Sequence, residues 1–132
     1  MPETASVTTT PHPSPAAMAV YRATAQRRAA EASRTLALRR ARAREVAQQA
    51  AALLKEQFGA TQVALFGSTV HGHWFSATSD VDLAASGLAS DDYFTAVARL
   101  QDLSPEFKVD LVALEHCKAE LRESIAREGV IL

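Results

Sequence analysis

A chain of 132 residues with 48% hydrophobic and 22% charged residues has the size and make-up of one globular domain with a single modest core. Its net charge of −1 conceals an asymmetry: residues 1–50 carry eight Arg against Glu3, Glu31 and Glu45, a net +5, and residues 51–132 carry six Lys or Arg against twelve Asp or Glu, a net −6. The single cysteine, Cys117, excludes an internal disulfide and suits a cytoplasmic setting, and no apolar run approaches the roughly 18 residues of a membrane span.

Residues 1–16 are rich in Pro, Thr and Ser and offer almost nothing to bury, so a disordered tail is expected there. From Ala17 to Phe58 there is no Gly and no Pro, which predicts a long helix. Its last part carries an apolar stripe, Val46, Ala50, Leu53, Leu54 and Phe58, expected to pack on the body, with Gly59 as the stop. The front part, residues 17–44, reads as a basic helical extension, and Arg39, Arg40, Arg42 and Arg44 as a solvated face. No aromatic residues interleave these arginines, as they would on a nucleic-acid surface.

The body, residues 45–132, alternates strand and helix. TQVALF (61–66), VDLAA (81–85) and KVDLVAL (108–114) read as strands. Helices are expected over 91–102, capped by Ser90, and over 115–127, before a short closing strand VIL. This order predicts an α/β (α+β) domain with a mixed, partly parallel sheet flanked by helices.

The chemistry is concentrated in LFGSTVHGHWFSATSDVDL (65–83). Residues two apart on a strand share a face, so Asp80 and Asp82 point one way while Val81, Leu83 and Ala85 face the core. Asp110 repeats the pattern between Val109 and Leu111 on the next strand. If the two strands are neighbours, three carboxylates converge beside the core and repel one another unless a cation lies among them. Oxygen ligands of this kind suit Mg²⁺, which pairs a few carboxylates with substrate phosphates and supports in-line phosphoryl displacement. Gly67 and Ser68, directly after a strand, suit close backbone approach to a phosphate. Trp74 and Phe75 read as packing for the loop, and His116 as a surface residue.

This ordered set, LFGS, Gly72, SDVDL, VDLV and EGVIL, resembles the minimal nucleotidyltransferases of the polymerase-β superfamily. The resemblance implies that Gly67 and Ser68 hold the triphosphate of ATP, that Asp80 and Asp82 bind Mg²⁺, and that Asp110 completes the catalytic and metal-binding set. It also implies a HEPN-type toxin as partner. A member of this type acts as antitoxin by moving AMP onto a protein hydroxyl (AMPylation), by binding alone, or by both. Transfer to a small molecule of the aminoglycoside kind is the other reading. The family pattern carries basic residues two and four positions after the serine, where this chain has Val70 and Gly72. Triphosphate contact in that loop is then either weaker or supplied by another residue such as His71.

Overall fold

The computed structural model describes residues 12–132; residues 1–11 of the expected tail lie outside the described residues. Helix α1 runs from Pro15 to Phe58 and starts earlier than Ala17 for a local reason. The Ser14 hydroxyl accepts the Ala17 N–H at 3.1 Å, and proline is pre-set for the first helical position it occupies. By compactness the chain divides into a unit ending at Arg34 and a unit from Thr35 to Leu132. In the first unit, the described helical residues are exposed apart from the partly covered Met18 and Thr24.

In the second unit, α1 buries Ala43, Val46, Ala47, Ala50, Ala51 and Leu54. The alanines let the helix lie close on the sheet, and Leu54 is fully buried. Gly59, at φ +70°, ends the helix in a left-handed conformation. Strand β1 (Gln62–Phe66) follows, then β2 (Val81–Ser86), α2 (Tyr93–Gln101), β3 (Val109–Ala113), α3 (Ala119–Glu128) and β4 (Val130–Ile131). The sheet order is β3-β2-β1-β4. β1 pairs antiparallel with β2 and β4, and β2 pairs parallel with β3, the mixed sheet expected.

Alternation along the strands builds two layers. Val63, Leu65, Val81, Leu83, Ala85, Val109 and Leu111 join the α1 residues, Leu100 and Phe107 in the main core. On the other face Ala64 and Ala84 meet Ile125 of α3. Two further helix starts differ from the sequence reading. Residues 90–92 form a single 3₁₀ turn with no side-chain cap from Ser90, because Asp92 N–H is taken by the Ala89 carbonyl. α3 begins at Ala119 rather than 115, since the chain turns first: His116 N–H bonds the Ala113 carbonyl, and Arg122 reaches back to the Leu114 and Cys117 carbonyls.

Candidate active site

Asp82 lies on β2 between the buried Val81 and Leu83, so its side chain emerges on the α3 face of the sheet. The parallel register pairs it directly with Asp110 of β3. Asp80 immediately precedes β2, and its backbone carbonyl accepts the Thr69 hydroxyl at 3.2 Å. Burial above all, followed by the charges of Asp110 and Asp80, pushes the half-buried Asp82 carboxyl up to about 6. Lys108, 3.5 Å from Asp110, partly offsets this. The structure therefore brings the three aspartates into one electrostatic neighbourhood at the start of β2 and β3.

Gly67 ends β1 at φ +80° and opens a single 3₁₀ turn, Gly67–Thr69. A Cβ on this residue would overlap the Asp82 carboxylate, so a bare backbone and a carboxylate are packed against each other. Ser68 follows, half-buried, and Thr69 is fully buried. Turn and carboxylates thus adjoin across β1 and β2, where Phe66 is the register partner of Asp82.

His71 is placed otherwise than its sequence role suggests. Its Nε2 lies 3.0 Å from Glu128 at the end of α3, and its ring meets Trp74 edge-on. Glu128 is thus the charged group beside the ring. Phe75 packs into the core while Trp74 is 66% exposed. A groove of about 700 Å³ also opens on the α3 face, lined by Ala64, Ser86, Arg122 and Ile125 among others. None of the expected site residues borders it, so its size says nothing about the chemistry.

Among the described residues, no group of three or more His, Cys, Asp or Glu is already disposed to hold a metal ion. What exists is an open, oxygen-only set in which the Asp82 carboxylate fills the space that a side chain on Gly67 would take. That donor chemistry fits a hard divalent cation, which takes its remaining ligands from water and phosphate.

Residues 48–132 match the family described as polymerase beta, nucleotidyltransferase. The chain belongs to that family. The nucleotidyltransferase domain also resembles solved structures. A crystal structure of a toxin–antitoxin with AMP-PNP is 24% identical, over 60% of this chain and 65% of that one, with a TM-score of 0.52. A mutant of the toxin–antitoxin MntA–HpeT is 24% identical over 64% and 69%, with a TM-score of 0.54. The toxin–antitoxin MntA–HepT is 20% identical over 67% and 69%, with a TM-score of 0.51. The matched part thus spans 65% to 69% of those chains, and at these identities the likeness is one of fold. No curated protein matches the sequence significantly.

Three residues that sequence reasoning did not place at the site touch it. Thr69 ties the glycine turn to Asp80. Arg40 donates to the Thr69 and Val70 carbonyls at 2.9 and 2.7 Å, and Arg39 donates to the Ser79 carbonyl at 3.3 Å. The arginines are therefore not a uniform solvated face. A signal was present: Arg40 falls at the helical spacing of Leu36, Ala43, Ala47, Ala50 and Leu54, the stripe that faces the domain.

Proposed function

We propose that this protein is a Mg²⁺-dependent nucleotidyltransferase that moves AMP from ATP onto a hydroxyl of a protein partner, a HEPN-type toxin that it neutralises. The observation that carries the reading is the adjacency of the Gly67 turn to Asp82, with Asp110 in register and Asp80 one residue before the strand. Family membership supports transferase chemistry, and the toxin–antitoxin neighbours support the choice of partner.

In this reading Gly67 and Ser68 receive the triphosphate, the glycine by offering bare backbone and the serine by its hydroxyl. Asp80, Asp82 and Asp110 hold Mg²⁺, which when bound neutralises the phosphate charge and orients the reacting oxygens. Asp110 lies at the strand edge, 42% exposed, and accepts the proton of the incoming hydroxyl. Release of pyrophosphate balances formation of the new phosphodiester bond. The test is incubation with ATP labelled at the α-phosphate, Mg²⁺ and the protein encoded beside this one. Label should appear on a partner hydroxyl; label confined to a small acceptor, or none on any protein, would count against the reading.

The basic helix contributes partner affinity rather than chemistry. Its first unit carries Arg22, Arg27, Arg28 and Arg34 on exposed surface, and so polar a helical segment has little apolar surface to bury. The arginines would draw an acidic face of the toxin into encounter. Deleting residues 1–34, which spares the arginines that bond the domain, should leave ATP binding intact and weaken toxin binding, most strongly at low salt. Unchanged toxin affinity at low salt would remove the docking role.

A further inference from the structure

The loop 69–79 joins the glycine turn to the first aspartate, and it contains neither Lys nor Arg, Asp nor Glu. Its own backbone bonds are short turns, such as Trp74 N–H to the His71 carbonyl and Ser79 N–H to the Ser76 carbonyl. Thr69 and Phe75 are buried and His71 pairs with Glu128, but these side chains do not hold the backbone carbonyls at the loop's two ends. Two adjacent residues of α1 supply the constraint from outside. Arg40 forks onto the carbonyls of Thr69 and Val70 at the loop's beginning. Arg39 reaches the Ser79 carbonyl at its end.

Each guanidinium is itself held. Arg39 stacks over the Phe107 ring at 4.3 Å and pairs with Glu106 at 3.2 Å. Its buried Nε has no partner, a cost that the stacked placement imposes. The Arg40 guanidinium lies against Gly72, where a Cβ would come within 2.6 Å of its terminal nitrogen. Gly72 has no positive φ, so the space it leaves, rather than its backbone freedom, is what the arginine uses.

We propose that Arg39 and Arg40 are positioning residues that grip the two ends of loop 69–79 and so steady the backbone just after the Gly67–Ser68 turn and just before Asp80. The proposal rests on the nucleotide-site reading for its consequence, though the grip can be measured without it. A held backbone beside the turn pre-organises the triphosphate contacts, so loosening it raises KM for ATP rather than lowering kcat. Gly72 serves the same end by making room for Arg40.

The experiment compares Arg40→Ala, Arg40→Lys, Gly72→Ala and the Arg40→Ala/Gly72→Ala double variant in the full chain. Arg42→Ala is the control, because Arg42 bonds Glu106 at 2.6 and 2.8 Å and touches no part of the loop. Hydrogen exchange of the 69–79 amides and KM for Mg²⁺–ATP are read well below each melting temperature. Arg40→Ala should speed loop exchange roughly tenfold or more, the worth of a charge-assisted hydrogen bond, and raise KM by a similar factor. Arg40→Lys should do the same, because an ammonium cannot fork onto two carbonyls. Gly72→Ala should match it alone and add little in the double variant. Arg42→Ala should change neither reading, even if it melts earlier. Equal loop exchange in the Arg40→Ala and Arg42→Ala variants would overturn the grip. Restoration of KM by Arg40→Lys would show that charge, not positioning, matters. Absence of ATP binding by the unaltered protein would overturn the site reading instead, with the exchange data still deciding the grip.

Discussion

Asp82→Asn should abolish nucleotide transfer while leaving a folded protein that, free of metal, melts higher than the original at pH 8. The substitution keeps size and removes one charge from a crowded carboxylate site. Losing a direct metal ligand should cost more than the roughly 10- to 100-fold typical of outer-shell partners. The stability change has a definite sign. Asp82 titrates near 6 in the fold against 3.8 ordinarily, so between those values the native state binds more protons than the unfolded chain. Stability then falls as pH rises through this window, and the deficit is complete above about 6. A fully desolvated group displaced that far would correspond to about 3 kcal/mol; with the side chain partly open to solvent, screening brings it to on the order of 1 kcal/mol. The asparagine should therefore gain over aspartate at pH 8 and show no such gain at pH 4. Melting curves at both values, with transfer assayed on the same samples, check it. Near-original transfer activity would remove Asp82 from the metal set.

Gly67→Ala should be the most damaging single-methyl change near the site. A side chain at φ +80° is strained, and its Cβ would also meet the Asp82 carboxylate, which must move. Together these should cost about 2 kcal/mol, several degrees of melting temperature, and weaken ATP binding severely. Gly59→Ala separates the two causes. Gly59 has φ +70° with nothing within 4 Å of an added Cβ, so it carries backbone strain alone. It should cost about 1 kcal/mol and leave ATP binding unchanged. If both variants bind ATP equally well, the contact between Gly67 and Asp82 has no functional weight.

Much of this domain could be read from period and punctuation. Val81, Leu83 and Ala85 alternate with Asp82, and Val109 and Leu111 flank Asp110, because a two-residue repeat divides core face from carboxylate face whatever the tertiary context. A helix between their strands made a partly parallel sheet legible, but that these two strands are neighbours, in a register that puts Asp82 beside Asp110, came from the structure. The helix boundaries were less legible. Ser14–Pro15 is a start signal, but it sits inside a Pro-rich stretch that composition assigns to a tail. The Leu114–Cys117 turn is dictated by long-range bonds from Arg122 and to Ala85, which local propensity does not contain.

The arginines were misread for a related reason. Taken by composition, Arg39, Arg40, Arg42 and Arg44 form one basic run. By helical phase they separate: Arg40 continues the buried stripe and caps loop carbonyls, Arg39 stacks on Phe107, and Arg42 pairs with Glu106. Backbone carbonyls leave no trace in a sequence, so a residue whose partners are carbonyls of a distant loop is not visible from residue types alone. His71 shows the converse. Its position in the loop suggested a phosphate contact, whereas Glu128, far along the chain, is the group beside it.

The most direct test is a titration of ATP into the protein with Mg²⁺ and again with excess chelator, followed by melting temperature. Asp80, Asp82 and Asp110 repel a triphosphate unless a cation lies among them. ATP should therefore bind appreciably only with Mg²⁺, stabilising the fold by about 2.7 kcal/mol at a hundredfold excess over Kd. The expected result is a large upward shift with both ligands present and almost none with ATP and chelator. An equal shift in the two conditions would contradict the carboxylate site.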